Sequence, residues 1–391
     1  MLNVELISDF DSFLQLEEEW NSLLEKTSTN TVFLRHEWFK CWWKAYGVGK
    51  KLCILLIKQE DKLIGISPLM ISRDHFRGFP VRKIGFIENN ETARSDFITL
   101  YDQSRIIEET ITYLIQKRAL WDVLIFNKIP MDTDTPKVLQ TACRKKGVSF
   151  LRRPSLHSPF LRIDTDWDTF YKNTSQKFKK KLRYNNNRLK KLGNISIEKL
   201  SQAINAEACL ADVFAIGQKS WISKIGKSIS SNRETKLFFS ELAHTASTRG
   251  WLSIWLMKAG DKPVAFEYHL EYNNNVHALR SEFNNEYSAY SPGSVLHSHI
   301  VKYIFLNRFK EYDMGGSADT YKKRWTPSVR QHCNILAFNK GFYPQFLRFL
   351  EDKLIPSLKQ TKAGILFKAL LANLNKRRIN GAKNVPNKKS G

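Results

Sequence analysis

The chain has 391 residues, 42% of them apolar and 12% aromatic. That fits two or three folded domains and excludes intrinsic disorder, because such a chain buries enough surface to offset its ordering entropy. The net charge of +24 is concentrated, with nine basic residues in 171–191, ten in 353–391 and no acid in either segment. An acidic partner (phosphate, nucleotide-linked donor, anionic lipid or nucleic acid) would therefore meet particular places on the chain.

Taken in order, Phe13, Leu16, Trp20, Leu23 and Leu24 recur at helical spacing and predict a helix over 10–26. A second, aromatic helix is expected from His36 to Tyr46. The apolar runs 52–57 and 63–71, parted by Gln59-Glu60-Asp61-Lys62, predict a β-hairpin. Pro68 has no N–H to donate, so the second strand is expected to bend or end near it. Strands at 82–87, 96–100 and 121–127, with helices at 104–118 and 135–146, complete a mixed α/β unit to about residue 155.

The second half repeats this logic. A strand at Phe160–Ile163 precedes a helical stretch from Asp166 to Leu192. Helices follow at 205–220 and 233–248, then strands at 251–258, 263–272 and 275–283. A helix near Ser294, a short strand at Glu311–Met314 and a last strand at 333–338 close the pattern. The element order predicts an α/β class with mixed sheets and two duplicated domains, 1–155 and 156–341. The remaining 342–391 reads as an amphipathic helix to about 375 and a disordered basic end.

Several chemistries are excluded by spacing. Gly226-Lys227-Ser228 lacks the glycine five residues upstream that a phosphate-binding P-loop needs. His36-Glu37 is not followed by a second histidine at position 40, and His297 and His299 fall on different helix faces, so no metal is expected. Met1–Glu5 show neither a basic nor an apolar signal region, so no secretory signal is expected, and no run of about 18 apolar residues predicts a spanning helix. Cys41, Cys53, Cys143, Cys209 and Cys333 lack disulfide or zinc spacing and read as reduced, buried thiols, which points to the cytoplasm.

Four motifs remain. Tyr290-Ser291-Pro292-Gly293-Ser294 opens a helix, and free N–H groups there form an anion site, with Gly293 allowing close approach of a pyrophosphate. The strands 263–272 and 275–283 put Glu267, His269 and Glu271 on one face and Phe266, Tyr268 and Leu270 on the other. A three-residue loop would set Tyr268 opposite Arg280 and Glu267 opposite Ser281, whereas a two-residue loop would flip the register. Glu267, Arg280 and Glu282 are polar groups within aromatic strands, and a desolvated carboxylate there could take a proton from an amine. Glu311-Tyr312-Asp313-Met314-Gly315-Gly316 leads into Tyr321-Lys322-Lys323-Arg324-Trp325, a basic-aromatic cluster suited to a phosphate or carboxylate. Finally, Phe178, Leu182, Asn185, Leu189 and Leu192 make one packing stripe of a helix whose remaining face, with Lys177, Lys180 and Arg183, is cationic.

The order of these motifs resembles the FemAB-like, CelD-like branch of the GNAT-type acyltransferases. The likeness runs from Trp20-x-x-Leu23-Leu24, Phe33-Leu34-Arg35-His36-Glu37-Trp38 with Trp42, and Gly65-Ile66-Ser67-Pro68-Leu69 through the Ser175–Arg183 stretch and Arg188-Leu189. It ends with Tyr290–Gly293, Tyr312–Gly316 and Tyr321-Lys322-x-Arg324-Trp325. The resemblance implies tandem GNAT-like domains, with acetyl-CoA or another acyl-CoA bound in the second by Ser291, Pro292, Gly293 and Ser294. It implies direct acyl transfer to an amine, for example an amino sugar or amino acid of surface polysaccharide synthesis. Backbone N–H groups at a splayed strand would steady the oxyanion.

Glu267, Glu282 and Asp313 are the candidate bases. Lys177, Lys180, Arg183, Arg280, Tyr321, Lys322 and Trp325 are candidate substrate contacts. The usual GNAT R/Q-x-x-G-x-G/A loop is missing. Two other readings compete. One is aminoacyl transfer from charged tRNA, favoured by the basic helix. The other is a basic adaptor whose tail (Phe346, Leu347, Leu350, Leu354, Leu358, Ile365, Leu366, Leu370 and Leu374 beside Lys353, Lys359, Lys362 and Lys368) lies on an anionic membrane or nucleic acid.

Overall fold

The computed structural model of the protein describes residues 2–202, 206–316 and 321–359. Its strands are β1 (Leu2–Ile7), β2 (Lys51–Gln59), β3 (Lys62–Phe76), β4 (Phe79–Phe86), β5 (Ile98–Thr99), β6 (Val123–Pro130) and β7 (Ser149–Arg162) in the first half. The second half supplies β8 (Ile195–Leu200), β9 (Leu252–Ala259), β10 (Lys262–Tyr272), β11 (Asn275–Phe283), β12 (Glu311–Asp313) and β13 (Val329–Phe338). All join one mixed sheet in the order β1-β2-β3-β4-β6-β13-β7-β12-β11-β10-β9-β8, with β5 beside β3.

The two halves share a topology. Each has a strand, a helical segment (three helices in the first half, two in the second), three antiparallel strands, a helix and then a strand parallel to the third, β6 on β4 in one half and β12 on β11 in the other. The halves also interlock. β13 lies between β6 and β7, away from the other second-half strands. β7 pairs with β13 along most of its length and with β12 at its end, so it runs across the 155/156 boundary drawn from element order. A common core adds to this, with Trp38 of the His36–Tyr46 helix meeting Phe238 of the Arg233–Thr248 helix edge to face at 5.2 Å. Fully buried aromatics such as Trp20, Trp38 and Trp42 remove on the order of 2–3 kcal/mol each of apolar exposure.

Several local expectations need correction. The 10–26 stretch is two helices, Phe10–Leu14 and Glu17–Glu25. The Asp166–Leu192 stretch is also two, Trp167–Asn173 and Gln176–Lys190, because Ser175 turns to cap the second by accepting from the Phe178 N–H. Leu192 lies outside the packing stripe, and Lys179 is buried in its place, donating to the Lys172 carbonyl at 3.0 Å. β3 neither ends nor breaks at Pro68. That residue falls between the last pairing to β5 at Ile66 and the first pairing to β4 at Leu69, so no ladder bond on that side is lost.

The start of the tail packs on the body. Leu347 is fully buried, and Glu351 accepts from Arg77 at 2.5 and 3.0 Å and from Arg153 at 3.2 Å. The apolar and basic positions expected farther along, Ile365, Leu366, Leu370, Leu374, Lys362 and Lys368, lie outside the described residues, as does the 376–391 end. Among the described residues no helix is long and apolar enough to cross a membrane. All five cysteines are free and buried, and burial pushes Cys53, Cys143 and Cys209 up to about 12.

Candidate functional site

β10 and β11 are joined by a two-residue turn, Asn273-Asn274, both in the left-handed region with φ of 50° and 58°. This turn alone would give the flipped register. A bulge at Leu279 restores it, so Tyr268 faces Arg280 and Glu267 faces Ser281. The bulge lies where β11 loses its other neighbour. β12 pairs with β11 across Asn275–His277, and among the described residues Ala278 to Phe283 of β11 have β10 on one side and no strand on the other. Gly315 and Gly316, with φ of 57° and 60°, turn the chain away from β12 at this point. A Cβ on Gly315 would sit 2.4 Å from the Ala278 carbonyl oxygen. The result is a splay of two parallel strands.

The Pro292–Leu306 helix connects the splayed strands. Ser291 enters it in the left-handed region (φ 53°), and no side chain caps its first turn. The equivalent helix of the first half, Gln103–Gln116, is closed by the Asp102 carboxylate, which accepts from the Arg105 N–H. An anion would be repelled there, whereas the second helix has no carboxylate at its start; Pro292 has no N–H and the Ser294 N–H turns back to the Ser291 carbonyl at 3.1 Å, which leaves the Gly293 N–H. Gly293 has room for a Cβ, its nearest neighbour being Phe283 at 3.5 Å, so packing does not demand glycine. The basic helix sits beside this start. Arg188 donates to the Ala289 carbonyl at 2.9 Å and lies over the Tyr290 ring at 4.9 Å. Lys177, Lys180 and Arg183 stay exposed on that helix. Arg183 also lines a cavity of about 250 Å³ with Val295 and His299.

The three candidate bases divide between the faces of the sheet. Glu267 lies under the Pro292–Leu306 helix, where His269 Nε2 and His297 Nδ1 each donate to it at 2.9 Å, with the Tyr312 hydroxyl at 3.4 Å. Burial alone would raise its pKa, but His297 and His269 outweigh this and hold it at about 2. Glu282 and Arg280 are on the opposite face. Glu282 Oε1 accepts from the Ile229 N–H at 2.7 Å, while its Oε2 has no partner. Burial raises its pKa, against the pull of Ile229, Ser228 and Arg280. Arg280 bonds Glu91 and the Lys227 carbonyl.

Asp313 shares this second face with His277 and ion-pairs with Arg94, a residue of the first half. Arg330 Nη1 is 3.6 Å away, and the Gly315 N–H donates at 2.9 Å. Desolvation works to raise Asp313, but Arg94 and His277 hold it at about 2. Burial, with Arg94 nearby, depresses His277 to about 3.

The basic-aromatic cluster folds back on the splay. Lys322 is buried and donates to the Gly315 carbonyl at 2.6 Å. Trp325 is buried against Phe178 at 4.9 Å and His297 at 5.7 Å, and Tyr321 meets the His297 ring edge-on at 5.7 Å. The fold therefore gathers Ser291–Ser294, Arg188, Glu267, Tyr321, Lys322 and Trp325 around one helix, and places Asp313, Arg280 and Glu282 beyond the sheet. The histidine partners of Glu267 and the arginine partners of Asp313 were missed in the sequence. Alternation had put His269 on the Glu267 face, but the contacts of His297, Arg94 and Arg330 are made across the fold and no local spacing announces them.

Residues 176–323 match the family described as the acetyltransferase (GNAT) domain. No curated protein matches the chain in sequence. Among solved structures, FemX superposes with a TM-score of 0.56 at 11% identity, over 88% of this chain and 99% of that one. L-PGS from Bacillus licheniformis gives 0.51 at 13%, over 85% and 95%. The C-terminal DUF2156 domain of an Agrobacterium fabrum protein gives 0.53 at 11%, over 88% and 97%. Residues 176–323, which carry this strand–helix–strand unit, are thus a GNAT acetyltransferase domain, in a chain that as a whole has the fold of FemX.

Proposed function

We propose that the protein is an N-acyltransferase that moves an acyl group, acetyl in the simplest case, from acyl-CoA to a small amine, with the donor held in the 156–341 region. The observation that carries this reading is the uncapped start of the Pro292–Leu306 helix beside the β11–β12 splay, when its first-half counterpart is closed by Asp102. A donor phosphate would take the Gly293 N–H, with Arg188 alongside. The thioester would extend into the splay. There the backbone N–H groups freed by the Leu279 bulge favour the oxyanion that forms as the amine attacks.

The amine nitrogen bonds to the thioester carbon, the carbon–sulfur bond breaks, and CoA leaves as the thiolate, to be protonated to the thiol. The amine proton needs an acceptor. Glu282 suits this role best of the three carboxylates, because its buried Oε2 is unpartnered and its pKa is raised. Glu267 and Asp313 are held ionised by their partners, which suits positioning rather than proton uptake.

A second reading, aminoacyl transfer from charged tRNA, is favoured by the exposed Lys177, Lys180 and Arg183 face. FemX shares the fold, which is compatible with either donor. Thermal denaturation with acetyl-CoA, longer acyl-CoAs, CoA or deacylated tRNA separates the two. A donor at 100 times its Kd adds about 2.7 kcal/mol. Stabilisation by acyl-CoA, with CoA release on adding amines, supports the first reading. A salt-sensitive shift with tRNA alone would replace it with the second.

A further inference from the structure

At the β1 end of the sheet the strands run past what covers them. β1 stops with Ile7 opposite Ile54, so among the described residues Lys51–Cys53 of β2 have β3 on one side and no strand on the other. Lys51, Ile71 and Ile84 line up across β2, β3 and β4 on the face that the Gln103–Gln116 helix packs against. That helix ends at this level. A short turn, Arg118–Leu120, follows it, held by Trp121 Nε1 donating to the Leu114 carbonyl at 2.7 Å. The gap between the helix end and the strand ends is a cavity of about 580 Å³.

Its wall is mainly apolar. Leu6, Phe10, Trp43, Ile71, Tyr113 and Leu120 all line it and all keep accessible surface, with Leu6 and Leu120 at 41% and 43% exposed. One exposed leucine needs no account, but six such side chains around one concavity form a binding surface of the size that small ligands fill. The charged groups of the wall are of one sign. Lys50, Lys51 and Lys117 line the cavity and no acid does. None of the three forms an ion pair among the described residues. Lys50 donates to the Tyr46 carbonyl, and Lys117 lies over the Tyr113 ring at 5.9 Å. Asp74, the acid whose field reaches Lys50, is 3.5 Å from Lys83 and paired with it. Burial lowers the pKa of Lys50, and an arriving anion would oppose that shift.

We propose that this cavity binds a free amphiphile with one alkyl chain and one anionic head, a medium-chain alkyl carboxylate such as decanoate. The chain would cover the apolar wall, and the head would lie among Lys50, Lys51 and Lys117. A neutral apolar ligand would leave three cations unanswered, and a sugar or nucleotide would set polar groups against the apolar wall. A bilayer presents a flat surface to a concave site, so the chain must arrive free. The cavity shares no residue with the Pro292–Leu306 helix or the splay, so the inference stands apart from the acyltransferase reading.

Calorimetric titration of the full chain with decanoate, decyltrimethylammonium and acetate tests this. Decanoate is expected to bind at least tenfold more tightly than either of the others, because one lacks the anionic head and the other the chain. The double variant Lys51→Glu/Lys117→Glu alters two exposed side chains and should fold. It should weaken decanoate at least tenfold and leave decyltrimethylammonium no weaker. Lys262→Glu/Lys340→Glu makes the same charge change at exposed positions outside the cavity and should leave decanoate affinity within twofold. Equal losses in the two double variants would reveal general attraction to a chain of net charge +24 and overturn the site. Unchanged decanoate affinity in Lys51→Glu/Lys117→Glu would overturn it too, as would decyltrimethylammonium or acetate matching decanoate in the wild type. Phosphatidylglycerol vesicles that retain the wild type but not Lys51→Glu/Lys117→Glu, with no decanoate binding, would replace the free amphiphile by a bilayer.

Discussion

His297 donates its Nδ1 proton to Glu267 at 2.9 Å beneath the helix whose first turn is left uncapped. The bond ties the start of that helix, one turn away, to the middle of β10. His269 holds the other carboxylate oxygen at the same distance, so neither oxygen of this buried acid is unpartnered.

This arrangement sets a pH dependence. His297 and His269 hold Glu267 at about 2 in the folded protein, against 4.5 for an ordinary glutamate. A lowered pKa contributes stability above the unfolded value, and that stability is lost as pH falls toward the folded one. The contribution is on the order of 3 kcal/mol, at 1.36 kcal/mol per unit. Glu267→Gln should therefore be less stable at pH 7 by about that amount, and its unfolding free energy should fall less steeply than the wild type's between pH 4.5 and 2. Urea melts across this range measure both.

Gly293 separates ligand binding from folding. Gly293→Ala has room for its methyl and should change stability by less than about 0.5 kcal/mol. Gly293→Glu should fold as well, since an acid is favourable at a helix start. Its carboxylate would occupy the anion site, so the thermal shift with acyl-CoA should disappear. A retained shift in Gly293→Glu would place the donor elsewhere.

Glu282 should show opposite effects on rate and stability. As a base it must be ionised, so activity should rise with pH through a limb above the ordinary carboxylate range. Glu282→Gln should lose about 10²–10⁴-fold in kcat together with that limb. Its raised folded pKa favours the protonated form, so its contribution to stability is full below the unfolded value and is lost as pH rises through the folded one. The glutamine variant should then be at least as stable as the wild type at pH 8. A variant that is both unstable and inactive would point to a structural role.

Arg94 and Asp313 couple the halves of the chain. Arg94→Ala leaves a buried carboxylate with Arg330 at 3.6 Å as its nearest cation, and should cost about 3–5 kcal/mol. Adding Asp313→Asn should recover part of this, and a double-mutant cycle should give a coupling energy of about 1–3 kcal/mol. Additive effects would show that the pair does not join the halves.

Much of this protein was determined locally. Apolar periodicity placed the His36–Tyr46 helix at its observed limits, and the strand–helix–strand order around Ser291–Gly293 was legible because turn and cap chemistry acts over a few residues. The alternation that put Glu267 and Phe266 on opposite faces was likewise a short-range property of extended chain. The partners of those residues were not legible. The register of β10 and β11 depended on a bulge at Leu279 that compensates a two-residue turn, and a bulge forms where neighbouring strands require it. The pairing of Arg94 with Asp313 spans 219 residues, and β13 threads between two first-half strands. The sequence by itself determined which segments could be strands, helices and an anion-binding turn. Only the tertiary structure decided which acids would be buried beside cations and which would be left without them, because desolvation and ion pairing depend on what the whole fold brings within a few ångströms.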